Sequence, residues 1–293
     1  MIPMHRDGRV VAMVTVALVT TGSVLDGQIL LRYAPGVGSA YRMHVWTAAT
    51  TTVTRGMEGN DVLVVELDGR ESLTRRVASQ ANGVLLVEMA RDSATVRVRR
   101  DGGEWGPAEA PFGQLHRSTV RVDDRLHVLS APPEAGQFLR GFAGGTEAPL
   151  PQQSIDRSQT WTTPLGVRLI DAAIPGVDIE VPEARIGDRL RVNATMVLDS
   201  LIIRGGDTLA FMTYQGVIMP VTRTVPSDVA SSSVTIGGTS DGVLIWSTLW
   251  DAYVSGSSHT HVTMRVRVFV YGEEPMTMLA LDSDVVSRFQ VRP

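Results

Sequence analysis

His259-Thr260-His261 sets two imidazoles on one face of a predicted strand, a spacing that metal sites use. Two donors do not complete a coordination shell, and sequence spacing places no third. Beside the polar run from Ser255 to Ser258, a solvent-facing histidine pair is the competing reading. His44, His116 and His127 are scattered along the chain. Carboxylate pairs at Asp123-Asp124, Glu273-Glu274 and Asp282/Asp284 fall in predicted turns or near the C-terminal end, where solvated charge is the default. A glycosidase needs two carboxyl groups facing each other across a cleft, which spacing along a chain does not supply.

Nucleophile motifs fail on composition. There is no Gly-x-Ser-x-Gly elbow, and Ser-x-x-Lys is impossible because all 27 basic residues are arginine. The same absence removes a Schiff-base or P-loop lysine. With no cysteine, thiol nucleophiles, thiolate metal sites, disulfides and covalent haem attachment are excluded too. The expectation is a non-enzymatic chain with no catalytic residue, no metal site and no cofactor.

The formal net charge of -4 and the lack of any long basic run argue against holding a phosphate backbone, so nucleic acid is not an expected partner. Hydrophobic residues at 43% and charged residues at 20% are those of a folded globular chain. Aromatic residues are few, yet Trp246, Trp250 and Tyr253 fall within ten residues of one another. If that stretch is a strand, Trp246, Thr248 and Trp250 share a face, suited either to core packing or to a protein interface. With no single chemical site to bind through, affinity must come from apolar anchors and arginine forks. The candidate interface is therefore Trp246, Trp250 and Tyr253 with Arg265 and Arg267 on the neighbouring run.

These residues need elements to hold them, and past residue 28 the period-two pattern dominates. In Val262 to Val270 the residues Val262, Met264, Val266, Val268 and Val270 share one face. Similar runs occupy Val62 to Leu67, Val84 to Met89, Thr95 to Arg99, Thr119 to Val128, Leu190 to Leu198 and Leu209 to Ile218. The dipeptides Asp68-Gly69, Asn82-Gly83, Gly102-Gly103, Gly205-Gly206 and Asp241-Gly242 read as hairpin turns. Short connections exclude crossover helices, so the chain should be all-β and antiparallel, as a β-sandwich or an open barrel, with little helix beyond a turn near Pro133 to Leu139.

Residues 131–158 are rich in Pro and Gly and read as a linker or crossover between β half 1 (28–130) and β half 2 (159–293). Gly38 to Met43 and Gly187 to Val192 both open a strand. Gly59 to Leu63 then parallels Gly206 to Leu209, and Asn82 to Leu86 parallels Asp241 to Ile245. An ancient duplication and convergent turn chemistry both explain this recurrence.

Residues 1–27 read as an address. Arg6 and Arg9 precede an uncharged run that includes Val10, Val11, Val14, Val16, Leu18 and Val19, followed by small residues, the layout of a secretory signal. No clean Ala-x-Ala follows, so a retained apolar anchor against membrane or partner is the alternative. The uncharged stretch is shorter than the ~20 residues a spanning helix needs. A buried first strand is the third reading, since the run is rich in β-branched valine. Export predicts a periplasmic, membrane-associated chain.

Four stretches carry a resemblance: Gly27 to Gly36 with Tyr41-Arg42-Met43, Gln159-Thr160-Trp161, Leu198 to Phe211 with Gly216, and Gly242 to Trp246. Together they resemble a family of secreted β-rich bacterial domains of gemmatimonad type, a likeness of strand-and-turn phrases that brings no catalytic residues with it. In phototrophic members of that group, the resemblance implies a membrane-extrinsic subunit holding a type-2 reaction centre within its light-harvesting rings. The function expected is thus a non-catalytic extracytoplasmic scaffold that stabilises a membrane protein complex. A periplasmic carrier of an apolar ligand is the alternative, and an envelope hydrolase the third class.

Overall fold

Alternating apolar and polar residues put one face of each strand in a core and the other in water, and long uninterrupted alternation makes long strands. The computed structural model describes residues 23–24, 27–55, 61–107, 117–130, 148–168, 189–226, 230–270 and 276–292. The strands are β1 (Ser23–Val24), β2 (Ala40–Arg55), β3 (Asp61–Ala81), β4 (Val84–Arg100), β5 (Gly106–Pro107), β6 (Arg117–Asp123), β7 (Val128–Ser130), β8 (Thr160–Arg168), β9 (Arg189–Arg204), β10 (Asp207–Pro226), β11 (Ala230–Ser247), β12 (Ala252–Val270) and β13 (Met276–Arg292). Among the described residues there is no helix. The apolar run from Val10 to Val19 and the Pro133 to Leu139 segment lie outside them. Ser23 and Val24 pair with Ile203 and Ile202 at the edge of the sheet.

The thirteen strands among the described residues form one antiparallel sheet in the order β1-β9-β10-β11-β12-β13-β2-β3-β4-β6-β7, with β8 also on β9 and β5 also on β4. Each half of the chain is an up-and-down meander. The halves join where β13 pairs with β2, from Leu279 opposite Arg55 to Arg292 opposite Arg42. The sheet is therefore continuous across the chain's two halves, and it is open rather than closed into a barrel. Its two ends are tied by irregular chain: Ile29 and Ile155 exchange backbone hydrogen bonds, the Tyr33 amide donates to Asp124, and the Leu150 amide donates to Arg125. Part of the Pro/Gly-rich segment is consequently core, with Ala148, Leu150 and Ile155 buried.

Parity along each strand defines the inner face. Tyr41, Met43 and Val45 on β2, Leu73 and Val77 on β3, Leu85, Val87 and Met89 on β4, and Met196, Met212, Leu244 and Val262 on the other half belong to one buried cluster. Strands from both halves can meet in one cluster only if the sheet curls around it. Leu31, Tyr33, Leu150 and Ile155 fill the inside of the curl. A polar belt crosses the same inner face. Thr47 and Ser287 hydroxyls lie 3.2 Å apart, Thr51 and Ser283 2.9 Å, and Ser240 and Thr260 2.9 Å. These pairs satisfy hydroxyls that burial would otherwise penalise.

The turn signals divide. Asn82-Gly83 and Gly205-Gly206 are true hairpin turns with positive φ at all four residues, and the turn expected at Gly102-Gly103 falls one residue earlier, with positive φ at Asp101 and Gly102 and the Gly103 amide donating to Arg100. Asp68-Gly69 and Asp241-Gly242 instead lie inside β3 and β11, opposite Ala48-Thr47 and His259-Ser258. At Gly242 glycine serves packing between strands, which the dipeptide alone does not reveal, whereas a methyl group at Gly69 would meet only ordinary contacts. The run from Thr119 to Val128 is interrupted by a turn, because the Asp123 carboxylate accepts from the backbone amides of Arg125 and His127.

Candidate interface on the outer sheet face

Because Met43 and Val45 point inward on β2, Trp46 must point outward. Register then aligns outer residues across four strands. Arg288, Trp46, Arg70 and Thr95 form one row, Val286, Ala48, Asp68 and Arg97 the next, and Asp284, Thr50, Glu66 and Arg99 the third. The rows are held by charge-assisted contacts. Asp68 accepts from the Trp46 indole at 2.9 Å and from Arg97 at 2.6 Å, with Arg70 at 4.0 Å. The Arg99 Nε and Nη2 donate to the two carboxylate oxygens of Glu66. The Arg97 fork holds the Asp68 carboxyl below its ordinary pKa against the opposing effect of burial, helped by the Trp46 indole and Arg70.

Two aromatic rings are presented under arginines. Arg288 lies 5.5 Å over Trp46, and Arg97 and Arg99 lie 5.6 and 5.0 Å over Trp105, a residue 39% exposed. Beside them an extra residue in β4, Asp92, interrupts the register with β3 and opens a polar groove of about 380 Å³. Arg42, His44, Arg70 and Asp92 line it, and Asp92 accepts from Arg42 at 3.1 Å and Thr74 at 2.8 Å. Arg42, Arg70, Arg97, Arg99 and Arg288 thus interleave with Glu66, Asp68, Asp92, Asp282 and Asp284 on one outer face.

The residues nominated from sequence fall elsewhere. Trp246 is 1% exposed and Tyr253 4%, their rings edge-to-face at 5.0 Å, and the Tyr253 hydroxyl donates to the Ala148 carbonyl. Both are core, which corrects their reading as surface anchors. Burial pushes both the Tyr253 and Tyr214 hydroxyls above their ordinary pKa. Trp250 is half-buried and packs on the core. Trp246, Thr248 and Trp250 do not share a strand face either, because β11 stops at Ser247. Asp207 then ties the following turn, accepting from the Ser247 hydroxyl at 2.6 Å and the Leu249 amide at 2.9 Å. Arg265 and Arg267 are exposed on the outer face of β12. Val10, Val11, Val14, Val16, Leu18 and Val19 lie outside the described residues.

Trp46, Arg70 and Trp105 escaped the sequence reading, although strand parity exposes the first and the Arg97-Val98-Arg99 alternation marks the strand beside it. Inner-face charges were missed as well: Glu71 and Arg91 lie 3.9 Å apart with almost no exposure, and Arg75 is buried beside Tyr33 and Met89.

No protein-family model matches the chain, and no curated protein matches it. Among solved structures, it is similar to a lipovitellin described for its lipid–protein interactions, at 9% identity and a TM-score of 0.43, over 89% of this chain and 26% of that one. It is also similar to an outer membrane channel from Pseudomonas putida F1, at 9% identity and TM-score 0.24, over 89% and 97% of the two chains. The β domain of the Bordetella autotransporter BrkA matches at 10% identity and TM-score 0.25, over 86% and 99%. The chain spans about a quarter of the lipovitellin length, and none of these likenesses bears on what it does.

Proposed function

We propose that the chain is a non-catalytic extracytoplasmic scaffold that docks on a membrane protein complex through the outer face of β2, β3 and β4. The observation that carries this reading is the array of Trp46 and five arginines held at fixed register, with Trp105 packed under two of them. Tryptophan and arginine dominate the energetics of protein interfaces, and a rigid sheet presents them at little entropic cost. The exposed guanidinium of Arg70 suits a partner with acidic side chains at its periplasmic surface. The type-2 reaction centre with its light-harvesting rings, implied by the family resemblance, is the particular complex to test. The carrier alternative has less support, since Leu31, Tyr33, Leu150 and Ile155 occupy the inside of the curl where an apolar ligand would sit.

Gentle detergent extraction of native membranes, with identification of what co-purifies, tests the proposal. Arg70, with its side chain 71% exposed, and Trp105 are the residues to change. Arg70→Glu and Trp105→Ala should each weaken association by more than about 1 kcal/mol while the free protein melts normally. A chain that co-purifies with no membrane protein, or variants that associate as well as the parent, would defeat it.

A further inference from the structure

The fold supplies what His259-Thr260-His261 lacked. His261 stands opposite Asp284 on β13, His259 opposite Asp241 on β11, and Asp282 follows two residues before Asp284 on the same outer face. The His261 Nδ1 lies 3.2 Å from Asp284 Oδ1 and 3.7 Å from Asp282 Oδ1. One donor atom from each of His261, Asp282 and Asp284 falls within 4.8 Å of the other two. Three ligands at ~2.0–2.2 Å from a common ion stand about 3–4 Å apart, so these separations need only small rotamer adjustments.

We propose that His261, Asp282 and Asp284 form a binding site for a divalent transition-metal ion, with zinc as the reference ligand. The imidazole selects against calcium and magnesium, which take oxygen donors, and two carboxylates neutralise the ion's charge. His259 acts from behind: its Nε2 is 3.2 Å from the Asp284 oxygen that faces His261, and its Nδ1 is 3.8 Å from Asp241. A further hydrogen-bond partner on a ligating carboxylate is how known sites orient their metal ligands. The ion pairs formed by Asp241, Asp282 and Asp284 among the described residues all run to these two histidines. Three carboxylates gathered around two imidazoles therefore leave a local negative charge that a dication would balance. All ligands come from adjacent hydrogen-bonded strands, so their spacing is set by register, and the side away from the sheet stays open for water or a ligand's oxygen.

The experiment is a calorimetric titration of the full chain with zinc chloride in a non-chelating buffer. The parent should bind one equivalent, and His261→Ala or Asp284→Asn should abolish it or weaken it at least about tenfold. His259→Gln, which leaves the three ligands in place, should weaken binding by about 10- to 100-fold. These side chains are exposed, so circular dichroism should be unchanged in every variant. The proposal is overturned if the parent takes up no zinc, if His261→Ala binds like the parent, or if equimolar calcium displaces the zinc.

Discussion

The ring of Tyr214 lies over the α-carbon of its cross-strand partner Gly242, so that a methyl group at position 242 would stand 2.6 Å from the ring's Cε1 and closer still to the Ser257 carbonyl. An aromatic side chain covering a strand glycine is a recurrent way to pin register, and here it also carries the Tyr214 hydroxyl to Ser240, 3.4 Å away. Gly242→Ala should therefore cost about 1–3 kcal/mol, because the opposing carbonyl is backbone and cannot step aside. Gly237 lies in the same strand with nothing within 4 Å of its added methyl. Gly237→Ala should be nearly silent, and urea unfolding of the two variants checks the contrast.

Trp246 and Trp105 should separate core from interface. Trp246→Ala removes a fully buried side chain and should lower stability by about 3–5 kcal/mol. Trp105→Ala should leave the melting temperature within a few degrees of the parent. A large loss of stability at Trp105 would show its ring to be structural.

Acid should loosen the outer lattice at Asp68 only once pH falls below the ordinary carboxylate range. Its pKa is depressed in the folded chain, so its stabilisation is complete above the unfolded value of ~3.9 and disappears as pH falls through the folded value. Asp68→Asn should be less stable than the parent at neutral pH and converge with it in strong acid. Unfolding free energies measured across the acid range test this; parallel curves for the two proteins would refute it.

Asp251 should behave in the opposite sense. Burial raises its pKa, so the folded chain binds that proton more tightly than the unfolded chain, and stability falls as pH rises from ~3.9 through the raised value. Its φ of 46° suits asparagine as well as aspartate. Asp251→Asn should raise the melting temperature at neutral pH, with the gain fading in acid.

How much of this was legible in sequence can be judged at single residues. Val262 and Met264 alternate toward the core as their spacing demands, and Asn82-Gly83 makes the tight turn its residues favour. Asp241-Gly242 carries the same local signal and lies mid-strand, because the bulk of Tyr214 on a neighbouring strand, rather than a turn, requires the glycine. The aromatic cluster misled for a related reason. Composition marks Trp246 as a strong contact residue, but only the position of Ala148, more than ninety residues earlier, closes the core over its neighbour Tyr253.

By itself the sequence determined the strand class, the antiparallel pairing and the absence of lysine and thiol chemistry, since these follow from side-chain period, loop length and composition, which are local. The tertiary structure alone decided that β13 joins β2, bringing residues of the last strand beside those of the first long one. That pairing sets Arg288 over Trp46, and the β12–β13 hairpin sets Asp284 beside His261. Register between strands depends on the whole curled sheet burying its inner face at once, and no short stretch of chain contains that information.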